Sequence, residues 1–89
     1  MDDTIEVSIE FYGHFNKITG KKQEKVKISS GLKEGIDDIC KYLKETYFIT
    51  QGFMLMINNN NIIGLLRRSD SITLSKEDVF KIIPIFSGG

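Results

Sequence analysis

The sequence predicts an α+β fold in which one amphipathic helix packs on one face of a mixed β-sheet. Two observations indicate this fold. Apolar and polar residues alternate near both ends of the chain, and a single segment of helical periodicity lies between them. The length of 89 residues is that of one domain with one modest hydrophobic core.

The N-terminal part of the chain predicts two strands. Residues 5–11 alternate apolar with polar side chains, the period of two that is typical of a strand with one buried face. The alternation returns in residues 25–29, where Val26 and Ile28 are the apolar members. We interpret residues 13–20 as a loop, so the two strands form a hairpin with a long connection.

The helix is predicted from Ile36 onward, where apolar residues recur at helical spacing and charged residues fill the opposite face. An earlier start at Leu32 would place Gly35 inside the helix at a cost of about 1 kcal/mol, so we expect Gly35 to be the N-cap. Asp37 and Asp38 would then lie in the first turn, where carboxylates complement the positive end of the helix dipole.

Short strands and turns are predicted after the helix. Residues 53–57 form an apolar run that suits a buried strand, and the asparagines at 58–61 suit a turn because asparagine tolerates left-handed backbone angles. We expect residues 62–63 to form a brief return strand and residues 71–75 to form another short extended piece.

The last strand is predicted to begin at Val79. Pro84 cannot donate a hydrogen bond to a ladder, so we expect strand pairing to fade there and the tail to leave the body. If the first and last strands lie side by side at the sheet centre, they run parallel and the topology is that of a β-grasp fold. The sequence thus predicts a domain at residues 1–84 and a flexible tail at residues 85–89.

Composition argues against several classes of protein. The formal charges balance and no block of like charge occurs, which is not the pattern of a nucleic-acid or membrane-surface binder. The acidic start lacks the features of a signal peptide, and no apolar run reaches the roughly 20 residues that cross a bilayer. A single cysteine permits neither an intrachain disulfide nor a CxxC metal site. We expect a cytoplasmic protein without a metal site.

Catalysis by side chains is not expected. His14 is the only histidine and we interpret it as a surface-loop residue, while Cys40 falls on the apolar stripe of the helix and should be buried and unreactive. No serine or cysteine stands in a nucleophile motif. Arg67 and Arg68 form a basic pair that suits either a solvated loop or partner docking.

The ending Ser87-Gly88-Gly89 follows directly on an apolar run. One interpretation is a frayed terminus. The alternative is a functional tail, because residues without Cβ atoms can enter a narrow channel, and residues 85–89 extend about 17 Å at ~3.4 Å per residue. Ile85 and Phe86 lie just past Pro84, where they are better placed to meet a partner than to fill this chain's core.

The terminal carboxylate offers a specific chemistry. Its pKa of about 3.5 keeps it ionised, so it can attack the α-phosphate of ATP when an enzyme supplies alignment and Mg²⁺. The resulting acyl adenylate reacts with a persulfide, a thiol or an amine to give a thiocarboxylate, a thioester or an amide. The tail would then be a substrate and carrier, with the catalytic groups on its partners.

Residues 82–89 resemble the C-terminal signature of the ubiquitin-like sulfur carriers, nearest the small subunit of molybdopterin synthase. Residues 9–13 and Gly20 resemble that family's first strand and following loop, and residues 36–43 resemble its helix. Asp78-Val79 resembles the turn before its last strand. Two departures are Lys76-Glu77-Asp78 in place of an Asp-Gly-Asp turn, and Ile85 in place of a second proline.

The resemblance implies a set of partners. An E1-like enzyme would use ATP and Mg²⁺ to adenylate Gly89, a sulfurtransferase would provide sulfur, and the thiocarboxylated chain would dock on the large subunit of molybdopterin synthase. The chain itself would bind no cofactor. The implied roles are sulfur carriage by Gly89, channel threading by Gly88 and Ser87, and partner contact by Phe86, Ile85, Pro84, Phe11, Arg67 and Arg68.

Three alternatives remain open. The chain could carry sulfur for another product, such as thiamine, cysteine or a thiolated tRNA base. It could be a protein modifier that is joined to lysines. It could also be a β-grasp interaction module with an inert tail.

Overall fold

The computed structural model describes residues 3–67 and 72–85. In chain order the elements are β1 (Thr4–Phe11), α1 (His14–Thr19), β2 (Gln23–Ser29), α2 (Leu32–Tyr47), β3 (Phe53–Ile57), β4 (Asn60–Asn61), α3 (Ile62–Leu66) and β5 (Val79–Pro84). The strands form one mixed sheet in the order β2-β1-β5-β3-β4.

The two central strands of the sheet are parallel. β1 pairs with β5 from Ser8 opposite Val79 to Phe11 opposite Ile82, and each of these strands has an antiparallel partner on its other side, β2 for β1 and β3 for β5. Because two parallel neighbours need a crossover connection, the long helix α2 lies between them in sequence. The predicted central pairing of the first and last strands, and with it the β-grasp topology, is confirmed.

The core lies between the sheet and the helices. Alternate residues of β1 and β5 are fully enclosed, with Ile9, Phe80 and Ile82 at 0% exposure. The remaining core residues are Val7, Phe11, Phe15, Val26, Ile28, Leu32, Ile36, Ile39, Leu43, Ile49, Leu55, Ile57 and Leu74.

Helix α2 begins at Leu32, so the prediction of a start at Ile36 with Gly35 as the N-cap is wrong. Gly35 is buried inside the helix, where a Cβ atom would lie 2.5 Å from Leu74 Cδ1 and 2.8 Å from the carbonyl oxygen of Ser29. The close approach of helix and strand outweighs the low helix propensity of glycine. Asp38 accordingly lies beyond the first turn, and its Oδ2 accepts hydrogen bonds of 2.8 Å from the amide and the hydroxyl of Ser29.

The prediction of a loop at residues 13–20 is wrong, because residues His14–Thr19 form the short helix α1. Phe15 anchors this helix: its side chain is 2% exposed and its ring meets the Phe53 ring edge-on at 6.2 Å. Gly20 ends the helix in the left-handed conformation at φ 73°. A single buried aromatic in six residues gives too little periodicity for a helix to be predicted.

The segment after β3 also differs from the prediction. Asn60–Asn61 form the return strand, and Ile62–Leu66, where the return strand was expected, form α3. Of the predicted extended piece at 71–75, Thr73 forms a bridge with Gly31, and Ser71 lies outside the described residues.

Asn58 makes the predicted asparagine turn. Its backbone is left-handed at φ 57°, as the residue type suggested. Its side chain accepts a hydrogen bond from the Val79 amide and donates one to Asp78 Oδ1, both of 3.0 Å. This turn therefore fixes the point at which β5 enters the sheet.

Cys40 is exposed, contrary to the predicted core position. It lies on the helix beside Ile39, which is 0% exposed. Partial desolvation and then the nearby Asp37 carboxylate raise the pKa of the Cys40 thiol. A raised pKa favours the less reactive thiol form, so the low reactivity of Cys40 stays a prediction that no longer depends on core packing.

Glu24 connects the hairpin to α2. Its Oε1 accepts hydrogen bonds of 2.9 Å from Lys21 Nζ and from the Tyr42 hydroxyl, and its Oε2 accepts one of 2.7 Å from the Tyr47 hydroxyl. Burial alone would raise the pKa of Glu24, but the hydrogen bonds from Tyr47, Lys21 and Tyr42 outweigh burial and lower it. The ionised carboxylate is thus the form that holds sheet and helix together.

Within residues 3–67 and 72–85, no helix has both the length and the apolar character needed to cross a bilayer. In the same residues, no three His, Cys, Asp or Glu side chains are grouped so that they could hold a metal ion.

We expect Gly35→Ala to destabilise the protein by about 1–3 kcal/mol, because the added methyl group overpacks the contact with Leu74 and the Ser29 carbonyl. Gly64→Ala is the matched control, since nothing lies within 4 Å of its added Cβ. The control should be neutral or stabilising by up to ~1 kcal/mol through helix propensity. Urea unfolding measures both. Equal stability of the two variants would contradict the close-approach account.

We expect Glu24→Gln to lower the free energy of unfolding at pH 7 by about 1 kcal/mol, because it removes charge-assisted hydrogen bonds. The folded pKa of Glu24 lies below the unfolded value of about 4.3. Its contribution is therefore complete above that pH and is lost as the pH falls through the folded pKa. Urea unfolding at pH 7 and pH 3 should show the difference between wild type and variant shrinking in acid, whereas Glu6→Gln, on the opposite face of the sheet, should change little at either pH.

Candidate functional site

The C-terminal end of β5 is where the predicted tail begins, and we call Pro84 and Ile85 the tail root. Pro84 is the last residue of β5, as predicted, and pairs with Phe53. One further backbone bond follows, from the Ile85 amide to the Gly52 carbonyl at 3.0 Å. Pro84 is buried and Ile85 is 58% exposed. The regular strand therefore ends at Pro84, and one backbone hydrogen bond still holds the exposed Ile85 beside the start of β3.

Gly13 packs directly against the Pro84 ring and so limits where the end of β5 can lie. A Cβ atom at Gly13 would lie 2.6 Å from Pro84 Cγ, and the Gly13 backbone has φ +60°. The neighbouring Tyr12 amide donates a 3.0 Å hydrogen bond to the Ile82 carbonyl. The β1–α1 connection thus passes tightly under the end of β5, which only glycine permits at this point.

Five of the predicted site residues are beyond the reach of the structure. Phe86, Ser87, Gly88 and Gly89 lie outside the described residues, and so does Arg68. Arg67 is exposed at the end of α3. The structure therefore places Ile85 and Pro84 together at the tail root. Pro84 is buried and so is not exposed for the predicted partner contact, while the predicted roles of Ile85 and of the other residues stay predictions.

Phe11 was expected on an exposed strip of the sheet, and this expectation is wrong. Its side chain is 3% exposed, and its ring meets the Tyr47 ring edge-on at 5.8 Å. Phe11 follows Val7 and Ile9 on the face that α2 covers, as the period of two requires. The residue is part of the core and is not available as a surface contact.

The opposite face of the sheet carries an apolar strip that the sequence analysis missed. Met54, Met56 and Ile83 alternate with the buried residues of β3 and β5 and are all half-buried. Met54 lies directly opposite Ile83 in the ladder. Ile85 continues the alternation beyond the strand. These four residues form what we call the apolar strip, and it ends at the tail root.

Polar residues flank the apolar strip. Lys81 lies opposite Met56 on one side and Glu10 on the other, and its ammonium donates a 3.1 Å hydrogen bond to Asn59 Oδ1. The Tyr12 hydroxyl donates a 2.5 Å hydrogen bond to Glu10 Oε1, and this bond raises the pKa of Tyr12. An apolar centre with a polar rim is the usual composition of a protein-binding surface.

The described part of the chain offers no reaction centre of its own at this place. His14 is exposed on α1, and the tail root consists of a proline, an isoleucine and backbone groups. What the arrangement can do is bind a partner through the apolar strip and present whatever follows Ile85 to that partner.

No protein-family model matches the chain, and no curated protein matches it significantly. Solved structures do match. A protein of Haloferax volcanii, HVO 2177, has a TM-score of 0.67 at 16% identity over 98% of this chain and 89% of that one. A Pyrococcus furiosus protein, described as a proposed molybdopterin converting factor, subunit 1, has a TM-score of 0.65 at 12% identity over 92% and 99%.

A third similar structure is the small archaeal modifier protein 1 from Methanosarcina acetivorans. Its TM-score is 0.63 at 19% identity, over 97% of this chain and 98% of that one. At identities this low, the structural similarity shows that the folds are alike. The chain has the ubiquitin-like β-grasp fold, and the three similarities cover 92–98% of its length.

We expect Gly13→Ala to destabilise the protein by at least about 2 kcal/mol. The Gly13 backbone at φ 60° and ψ −137° is strained for alanine, and the added Cβ overpacks Pro84. Gly20→Ala is the control for a positive φ without the contact, since Gly20 is left-handed at φ 73° and has nothing within 4 Å of an added Cβ; it should cost about 1–2 kcal/mol. Because the two backbone conformations differ, both substitutions are repeated in a Pro84→Ala background. Urea unfolding should show a smaller loss for Gly13→Ala in that background and an unchanged loss for Gly20→Ala. An unchanged loss for Gly13→Ala would show that Gly13 does not hold the tail root.

Proposed function

We propose that this chain is a ubiquitin-like sulfur carrier and that it serves as the small subunit of molybdopterin synthase. The observation that supports this most is the tail root: a central strand ends at Pro84, the exposed Ile85 follows, and the sequence runs on through Phe86 to Gly88-Gly89. The likeness to the Pyrococcus furiosus protein described as a proposed converting factor subunit adds support.

The proposed chemistry takes place at the carboxylate of Gly89. Its oxygen attacks the α-phosphate of ATP, held with Mg²⁺ by an E1-like enzyme, and pyrophosphate leaves. The terminal sulfur of a persulfide on a sulfurtransferase then attacks the acyl carbon, and AMP leaves. A thiol reduces the resulting acyl persulfide, which releases the thiocarboxylate and forms a disulfide. On the large subunit of the synthase, the thiocarboxylate sulfur bonds to a carbon of the pterin precursor and displaces an oxygen leaving group. Water then cleaves the acyl–sulfur bond, which leaves the sulfur on the precursor and returns Gly89 to the carboxylate.

In this proposal the partners bind the apolar strip. Met54, Met56 and Ile83 lie on the face opposite α2 and lead to Ile85, so a partner that covers them also receives the tail. Methionine side chains adapt to more than one partner surface, which suits a chain that visits an activating enzyme and a synthase in turn. Phe86 and Ile85 would anchor the tail, with Ser87 and Gly88 in the channel and Arg67 or Arg68 at the edge of the contact.

A second candidate is a protein modifier joined to lysines. The likeness to the small archaeal modifier protein 1 favours it, and the activation step is the same. The acyl adenylate or a thioester formed from it reacts with a lysine amine to give an amide. Because trypsin cleaves after Lys81, a modified target would carry residues 82–89 on one lysine, ending in Gly88-Gly89. Sulfur carriage for thiamine, cysteine or tRNA would differ only in the acceptor.

One assay tests the activation and the docking surface together. The chain is incubated with an E1-like enzyme known to be active, ATP, Mg²⁺ and a sulfurtransferase with its sulfur source, and its intact mass is measured over time. We expect one oxygen to be replaced by sulfur at Gly89. Met54→Glu should slow this conversion at least about tenfold, because a charge on the apolar strip must be desolvated on docking. The control is Thr4→Glu, which lies at the N-terminal end of β1, away from the tail root. This variant should convert at the wild-type rate.

Different outcomes separate the alternatives. An unchanged mass with an active enzyme overturns the carrier proposal and leaves a β-grasp interaction module. A thiocarboxylate with normal conversion of Met54→Glu retains the carrier and rejects the apolar strip as the docking surface. Branched peptides that carry residues 82–89 on lysines of other proteins would show the modifier.

A further inference from the structure

We infer that the end of the molecule around the tail root is a second docking surface, and that the activating enzyme of the proposed function covers it. Four large apolar side chains are exposed among the described residues: Tyr12 at 39%, Ile18 at 52%, Phe48 at 85% and Ile85 at 58%. We call these four residues the apolar end. The identity of the partner rests on the proposed function.

The four residues lie at one end of the fold. Tyr12 directly follows β1, and Ile85 directly follows β5, which runs parallel to β1. Phe48 directly follows α2, whose last residue, Tyr47, meets the ring of the last residue of β1 edge-on at 5.8 Å. Ile18 lies on α1, the helix that begins two residues after Tyr12. At the opposite end of the sheet, none of the described residues exposes a large apolar side chain.

The position of Phe48 disfavours an aromatic residue in two ways. It follows α2 in the left-handed conformation, at φ 60° and ψ 28°, where glycine is the usual residue and a bulky side chain is strained. Its ring is 85% exposed, so burial in this chain does not offset the strain.

Asn58 shows the contrast. It is the other non-glycine residue of positive φ among those described, and its side chain makes two hydrogen bonds within the fold. Phe48 has no such role in its own chain, whereas contact with a second molecule would bury its ring.

The apolar end is continuous with the apolar strip. Ile85 belongs to both, and its amide donates to the Gly52 carbonyl. Phe48 is four residues before Gly52, so their Cα atoms are at most about 14 Å apart. Ile18 lies one helical turn after Phe15, whose ring packs against the start of β3. An enzyme that covers the apolar strip up to Ile85 and acts on the residues after it therefore also faces the apolar end.

The charges around the apolar end favour a partner surface that carries carboxylates. The exposed lysines at this end are Lys17, Lys21, Lys22 and Lys44. Of the described carboxylates here, Glu45 is exposed, while Glu10 and Glu24 are half-buried and accept hydrogen bonds within the chain. Exposed positive charge thus exceeds exposed negative charge, and a complementary partner has carboxylates around an apolar pocket for Phe48.

The test measures activation of Phe48 variants by an E1-like enzyme known to be active, with ATP and Mg²⁺. The rate of ATP–pyrophosphate exchange at increasing chain concentration gives kcat and KM. We expect Phe48→Gly to raise KM at least about tenfold with kcat unchanged, because the contact is the same in the bound complex and in the transition state. Phe48→Tyr keeps the ring and should stay within about twofold of the unsubstituted chain.

The same variant separates docking from folding. Glycine relieves the left-handed strain, so the urea midpoint of Phe48→Gly should be no lower than that of the unsubstituted chain. A raised KM in a chain of undiminished stability does not come from unfolding. Lys44→Glu should also raise KM, by about threefold or more. Lys33→Glu, in the first turn of α2 at the other end of the helix, should leave it unchanged.

The outcomes distinguish this inference from the proposed function. If the enzyme does not activate the unsubstituted chain, the proposed function fails and the inference fails with it. If the unsubstituted chain and Phe48→Gly are activated with equal KM, the apolar end is rejected while the sulfur-carrier proposal stands. Self-association of the unsubstituted chain in sedimentation, abolished by Phe48→Gly, would assign the surface to a second copy and also reject the inference.

Discussion

The parallel pairing of β1 and β5 at the centre of the sheet is the constraint on which the rest of the structure depends. It brings the first and last strands together, so every other element lies between them in sequence and around them in space. Ile9, Phe80 and Ile82, all at 0% exposure, occupy this junction. Because a parallel pair cannot be joined by a tight turn, α2 must cross the sheet, and its apolar stripe closes the core.

The same pairing also fixes the geometry of the tail root. A central strand is paired on both sides, so its backbone is held over its whole length. Where β5 ends, Gly13 passes under Pro84 and Gly52 accepts one last hydrogen bond from Ile85. The backbone of the tail root is therefore held at a defined point of the fold, beside the apolar strip that we propose as the docking surface.

The fold could be predicted from the sequence to a large degree. Its strands and its long helix each bury one face, and the buried residues therefore recur in the sequence with the period of a strand or of a helix. The errors have local causes. Gly35 was placed outside the helix on propensity, but a contact with Ser29 and Leu74 that only the tertiary structure reveals requires it there. Helix α1 has one buried aromatic residue, Phe15, and a single residue gives no apolar periodicity from which the helix could be predicted.

The candidate site could be predicted only in part. The tail was visible because two glycines after an apolar strand are unusual. The body surface was not, because residues 53–57 are apolar throughout and the sequence does not say which of them face the core. Only the register with β5 assigns Leu55 to the core and Met54 and Met56 to the other face. Phe11 was misplaced for a different reason: its alternation with Val7 and Ile9 indicates the buried face, and only the resemblance to the sulfur-carrier family implied a partner contact.

Pro84 also has a consequence for how this chain can change over generations. Side chains of β5 are assigned to one face of the sheet or the other by counting back from a residue that Gly13 and Phe53 hold in place. A substitution in β5 alters the contacts of one side chain, but a single codon inserted or deleted between Val79 and Pro84 would exchange the faces of the strand residues on one side of it. The connection at residues 48–52 lies outside this count. Descendants of this chain should therefore vary in length within that connection and hold constant the number of residues from Val79 to Pro84.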